Sequence, residues 1–123
     1  MKKILIIDDE MQIQTLIKEL LNHDDFIFEA ARDGADGVAR AKAVPPDLII
    51  TDLMLPKMHG FEVIRILKAD PATAGIPIIV LSAKVYVPDR RKALDLGAND
   101  FLEKPFNIDE LTSVIERHLA VAA

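Results

Sequence analysis

Residues 48–60 read Leu48-Ile49-Ile50-Thr51-Asp52-Leu53-Met54-Leu55-Pro56-Lys57-Met58-His59-Gly60. An apolar run without alternation stops at a carboxylate, and a loop carrying a proline follows. Unbroken apolar strands are what a parallel sheet produces when helices cover both of its faces. The same grammar recurs on either side. Ile4 to Ile7 ends in Asp8-Asp9 and Ile78 to Leu81 ends in Ser82, while Phe26 to Ala30 and Phe101-Leu102 are weaker runs, as edge strands tend to be.

Between these runs lie helical patterns. Ile13, Leu16, Ile17, Leu20 and Leu21 recur at the spacing of one continuous apolar stripe. Asn107 followed three residues later by Glu110 is a capping-box variant, after which Ile108, Leu111, Ile115 and Leu119 supply a buried stripe. Shorter periodic segments run from Ala35 to Ala43, Gly60 to Ala69 and Asp89 to Leu96. The punctuation agrees, with Pro45-Pro46, Gly75 to Pro77 and Gly97 each standing before a strand and Pro105 after the last. The chain thus reads as βα repeated five times. Right-handed crossovers turn such a chain into a three-layer α/β fold around a doubly wound, five-stranded parallel sheet. The flavodoxin-like strand order 2-1-3-4-5 suits five strands. One domain over residues 1–123 is expected, with Ala120 to Ala123 as a frayed end.

Composition narrows the function. Half of the 123 residues are hydrophobic, enough to bury a core without staples. The absence of cysteine excludes disulfides, thiolate metal sites and a cysteine nucleophile, and suits a cytoplasmic setting. The apolar run after Met1-Lys2-Lys3 breaks at Asp8, too short for a signal peptide, and no run approaches the ~20 residues of a membrane span. A net charge of −5 argues against direct nucleic-acid binding, which rests on clustered lysine and arginine.

In an open α/β sheet the ligand crevice lies beyond the carboxyl ends of the strands, where the strand order reverses. Asp8-Asp9, Asp52, Ser82 and Lys104-Pro105 all stand there, and the order 2-1-3-4-5 makes strands one and three neighbours. Each residue has a plain reading by itself: Asp8 or Asp9 as a helix cap, Asp52 as a turn residue, Ser82 as a loop hydroxyl, Lys104 as a solvated lysine. Together they ask for more. Three crowded carboxylates raise one another's pKa unless a cation is present, and a hard divalent ion with oxygen ligands is the natural remedy. Such an ion with carboxylates points to phosphate chemistry.

With these residues in hand, the chain resembles the receiver domains of two-component response regulators over essentially its whole length. The matching pieces are Ile6-Ile7-Asp8-Asp9-Glu10, Thr51 to Gly60, Leu81-Ser82-Ala83, Gly97-Ala98-Asn99-Asp100 and Glu103-Lys104-Pro105-Phe106. The resemblance implies a phosphorylation switch with Asp52 as phosphoacceptor. It implies that Asp9, Asp52 and the backbone carbonyl of Met54 hold Mg²⁺ (or Mn²⁺), with Asp8 acting through a metal-bound water. Lys104 would pair with a phosphoryl oxygen, Ser82 would hydrogen-bond another, and Phe101 would be the switch aromatic that follows the Ser82 loop inward; an ordinary core role is the plain alternative for Phe101. The phosphoryl donor would be a sensor histidine kinase or a histidine phosphotransfer protein. A downstream protein or effector domain would read the surface around the fourth and fifth helices, and phosphorylation-linked dimerisation is a further option. A cis Lys104-Pro105 peptide belongs to the same resemblance.

Some details are less generic. Met54 and Lys84 occupy positions that in the family influence how fast the acyl phosphate hydrolyses, and an apolar Met54 favours a longer-lived phosphate. Val85-Tyr86-Val87-Pro88 is apolar for a loop; Tyr86 with Arg90 and Arg91 is a candidate partner surface, set against a locally packed loop and a solvated helix face. His23, His59 and His118 lack metal-ligand spacing and read as surface or helix-end residues. A flavin-binding protein would need a different phosphate cradle after strand one. A metal-dependent phosphatase would carry a second acid two residues after its nucleophile, a pattern that neither Asp8 with Glu10 nor Asp52 with Met54 fits comfortably. A receiver-like module that binds partners without phosphorylation would commonly lack one of the acidic or lysine positions, all of which are present.

Overall fold

A computed structural model of the chain describes residues 2–20, 26–83 and 87–119. The elements alternate as expected: β1 (Lys2–Ile7), α1 (Met11–Leu20), β2 (Phe26–Ala31), α2 (Gly34–Ala43), β3 (Leu48–Thr51), α3 (Gly60–Ala69), β4 (Ile78–Ser82), α4 (Val87–Asp95), β5 (Asp100–Glu103) and α5 (Ile108–Leu119). The five strands form one parallel sheet in the order β2-β1-β3-β4-β5.

Strand pleating sorts the apolar residues into two cores, because successive side chains point to opposite faces. Leu5, Ile7, Ile49, Ile78, Val80 and Phe101 pack with Ala41 of α2, Val63, Ile64 and Leu67 of α3, and Ala93 of α4. Ile4, Ile6, Leu48, Ile50, Ile79, Leu81 and Leu102 pack with Ile17 of α1 and with Leu111, Val114, Ile115 and Leu119 of α5. The sheet is therefore covered on both sides, which is why its strands carry no polar alternation. Gly97, with φ of +118°, makes the turn into β5 that its position in the sequence announced.

Three sequence expectations need correction. Leu16 is exposed rather than part of the α1 stripe; it lies about 100° around the helix from the buried Ile17, and Gln14 takes the inward place. Ile108 is likewise exposed, because it stands in the first turn before α5 settles on the sheet at Leu111, and Val114 completes the stripe instead. Val87 and Pro88 belong to the first turn of α4, not to a loop, at a position where the missing proline N–H would have had no helical partner. The expectations for Leu21, His23, Lys84, Tyr86 and Ala120 to Ala123 fall outside the described residues.

Candidate functional site

Four chain segments deliver polar side chains to the carboxyl edge of the sheet. The β1 register carries Ile7 opposite Thr51, so the residues that follow these strands, Asp8 and Asp52, emerge side by side. The Asp52 N–H donates to the Ile7 carbonyl at 3.0 Å, extending the pairing by one residue and fixing where its side chain leaves the sheet. Both carboxylates are buried, at 2% and 5% exposure.

Every polar atom of Asp8 has a partner. Its N–H donates to the Ala31 carbonyl, its carbonyl accepts from Gln14 Nε2, Oδ1 accepts the Glu10 N–H at 2.9 Å, and Oδ2 accepts from Lys104 Nζ at 2.8 Å. The Oδ1 contact is an Asx-type turn leading into α1; it meets the Glu10 N–H ahead of the helix, whose first carbonyl acceptor is Glu10, so Asp8 shapes the approach to α1 rather than capping it. Asp52 is fixed in a similar way. Oδ1 accepts the Leu53 N–H at 2.7 Å and the Met54 N–H at 3.3 Å, while Oδ2 accepts from Lys104 Nζ at 3.0 Å.

Lys104 follows β5, and its ammonium lies between Asp8 and Asp52 with Glu10 Oε1 at 3.5 Å. The Lys104–Pro105 peptide is cis. Burial disfavours the Lys104 charge, but hydrogen bonds and charge from Asp8 and Asp52 together outweigh it and hold the pKa above the usual lysine value. For Asp8 the balance falls the other way. Burial raises its pKa, the Lys104 and Glu10 contacts lower it, and repulsion from Asp52 adds to the rise, leaving the carboxyl above its ordinary value. Lys104 thus gains from both aspartates, whereas for Asp8 the contact with this shared ammonium does not offset the cost of burial.

One oxygen from each of Asp8, Glu10 and Asp52 lies within 4.8 Å of the others. An all-oxygen donor set whose negative charge exceeds the one ammonium facing it fits a hard divalent cation such as Mg²⁺, which is held by one or two carboxylates, waters and phosphate oxygens. Sequence alone assigns Glu10 no role; its place beside two aspartates is the signal that points to it. Asp9, expected as a direct ligand, is exposed and stands outside this compact set, on the rim of an open depression that it lines with Glu10, Asp52, Met54 and Ala83.

Ser82 is buried at the end of β4, where its carbonyl accepts the Lys104 N–H at 2.9 Å. Phe101 is buried one layer below, in the core with Val80, Ala93 and Ala98. Arg90 and Arg91 are exposed on α4, where with Leu94 and Asp95 they border a separate surface depression. Neither arginine belongs to the acidic cluster. His59 is a helix-end residue as expected, capping α3 by accepting the Phe61 N–H on Nδ1, and His118 pairs with Asp100 near the end of α5. Among the described residues no helix is long and apolar enough to cross a membrane.

A family model for the response regulator receiver domain matches residues 4–116. The DNA-binding dual master transcriptional regulator RpaA of Synechocystis sp. is 42% identical over 111 residues, which are 90% of this chain and 46% of that protein. The response regulator ArlR of Staphylococcus epidermidis is 38% identical over 115 residues, 94% of this chain and 51% of ArlR. The chain thus spans about half the length of these curated relatives. Among solved structures, the receiver domain of a sensor histidine kinase from Pseudomonas aeruginosa, with a magnesium ion coordinated in its active-site cleft, superposes with a TM-score of 0.87 at 31% identity, covering 97% of this chain and 98% of that one.

Proposed function

This chain belongs to the response regulator receiver domain family of two-component signalling, and on that premise we propose that it is a Mg²⁺-dependent phosphorylation switch with Asp52 as its phosphoacceptor. The observation that carries this reading is the convergence of buried Asp8, Asp52 and Lys104 from three strand ends, with Lys104 Nζ at 2.8 and 3.0 Å from the two carboxylates. Phosphoryl transfer asks a protein chiefly for positioning and charge neutralisation, and this cluster supplies both.

In the proposed reaction a carboxylate oxygen of Asp52 forms the new O–P bond while the N–P bond of a donor phosphohistidine breaks, and the released imidazole keeps the electron pair and takes up a proton. The backbone N–H groups of Leu53 and Met54 orient the carboxylate as the nucleophile. Lys104, released from its two carboxylates, pairs with a phosphoryl oxygen, and Ser82 donates its hydroxyl to another. Asp9, on the rim of the depression it shares with Asp52 and Met54, would hold the cation together with Asp52 and the Met54 carbonyl, while Asp8, in the compact acidic set with Glu10, would act through a water. When bound, that cation neutralises charge on the transferring group. The acyl phosphate adds charge and acceptors at the mouth of the site, attracting Ser82 and Lys104 and biasing Phe101 and the α4 surface around Arg90 and Arg91. The chain catalyses its own modification rather than turning over an external substrate. Its donor is a sensor histidine kinase or histidine phosphotransfer protein in the cytoplasm, and its reader is a protein target or an effector domain.

Intact mass after incubation with a small acyl-phosphate donor tests this directly. A single phosphoryl adduct that needs Mg²⁺ and vanishes in Asp52→Asn is expected. An adduct of equal yield in Asp52→Asn, or none in the parent with Mg²⁺ bound, overturns the reading.

A further inference from the structure

Gln14 is a fully amide-bearing side chain buried to 5% exposure on a helix face that otherwise packs apolar residues. Its Nε2 donates to the Asp8 carbonyl at 2.7 Å and lies 3.4 Å from the Ala31 carbonyl. Two carbonyl oxygens can be met only by the NH₂ side of the amide, so its orientation is fixed by chemistry. The Ala31 carbonyl also accepts the Asp8 N–H at 3.0 Å. Asp8 is therefore held on both sides of its backbone, by β2 through its N–H and by α1 through Gln14. Asp8 lies just past β1, and without Gln14 its carbonyl would lack this partner.

That backbone anchor matters because the Asp8 side chain has no slack of its own. Oδ1 is tied to the Glu10 N–H and Oδ2 to Lys104. Rotation of the Asp8 peptide would carry with it the turn through Asp9 and Glu10, and so move three of the acidic groups at the mouth together. From this geometry we infer that Gln14 is a positioning residue for the cation site, acting through the Asp8 carbonyl to set the spacing of the acidic cluster. The inference rests on the proposed Mg²⁺-dependent switch and goes beyond it by assigning a role to a residue that touches neither cation nor phosphate. Groups that orient metal ligands commonly govern affinity by about 10–100-fold when removed.

The test measures Mg²⁺ binding calorimetrically, without a phosphoryl donor, on the parent, on Gln14→Met and on Ile17→Val. Methionine fills the glutamine's volume but donates no hydrogen bond. Ile17→Val loosens the same helix in its apolar core without touching the Gln14 hydrogen bonds. The expected result is a Kd weakened about tenfold in Gln14→Met and essentially unchanged in Ile17→Val. Equal Kd values in parent and Gln14→Met, or equal weakening in both variants, overturn the inference and leave the switch reading standing; a parent that binds no Mg²⁺ overturns both. Should Gln14→Met fail to fold, the side-chain amide resonances of Gln14 in the parent decide. Shifts that follow the Mg²⁺ binding curve support the role, and resonances that do not respond refute it.

Discussion

Replacing Gly60 by alanine should damage stability and phosphoryl transfer together, because the first residue of α3 is packed against the backbone that carries Asp52. A Cβ built at Gly60 would lie 2.5 Å from the Asp52 carbonyl oxygen and 2.6 Å from Leu53 Cα, where ordinary contact starts at 3.4 Å. Relief needs a displacement of roughly 0.8–0.9 Å, the difference between those distances. The helix start cannot simply retreat, since the Gly60 N–H donates to the Leu53 carbonyl at 2.8 Å. Overpacking of this kind costs about 1–3 kcal/mol, and alanine's helix-propensity advantage of up to about 1 kcal/mol in a helix interior is smaller at a first turn. The clash therefore wins, and a fall in Tm of about 5–15 °C is expected for a domain of this size. A shift approaching 1 Å at Asp52, the proposed phosphoacceptor, can slow transfer by up to about 10²-fold. Thermal unfolding and the time course of adduct formation by mass read the two effects. Gly75→Ala is the control, because a Cβ there meets nothing within 4 Å, and it should leave both readouts near the parent. A Gly60→Ala protein with parental stability and rate would refute the reasoning, as would an equal loss in Gly75→Ala.

Two further outcomes follow from the same geometry. Met54 is 59% exposed beside Asp52 and offers attacking water no polar side chain, so Met54→Asn should shorten the acyl-phosphate lifetime; a parent that loses its phosphate faster than the variant would sink the idea. Asp8 has a pKa raised chiefly by burial, so the stability tied to its protonated form is whole below its unfolded value and lost as pH rises through the raised folded value. Without metal, the Tm of Asp8→Asn minus that of the parent should accordingly grow from pH 4 to pH 7, and a difference that shrinks over that range would contradict the assignment.

How much of this was legible in the sequence depends on whether a residue's place along the chain already states its place in space. For strand ends it does. Asp8, Asp52, Ser82 and Lys104 each follow an apolar run, and a parallel sheet brings all such positions to one edge, so strand order alone joins residues as far apart as Asp8 and Lys104, 96 positions away. The strands themselves were readable because burial on both faces leaves them nearly continuous in apolar residues. Helix faces and loops carry less of this information. Counting apolar residues on α1 favoured Leu16, whereas the inward position went to Gln14, since what the helix meets there is not only side chains but the carbonyls of Asp8 and Ala31 at the ends of β1 and β2. The Asp8 carbonyl faces the helix only once the sheet is assembled and the chain turns away after β1. A polar residue beside Ile13 and Ile17 was the visible trace of that demand, but which backbone it would satisfy is fixed by the pairing of β1 with β2. Glu10 follows the same logic, for it reaches Lys104 only because the Asx-type turn at Asp8 folds the chain back over the mouth of the site. The residues that form the chemical groups of this site were thus written in local sequence, and those that hold them in place were written in the topology.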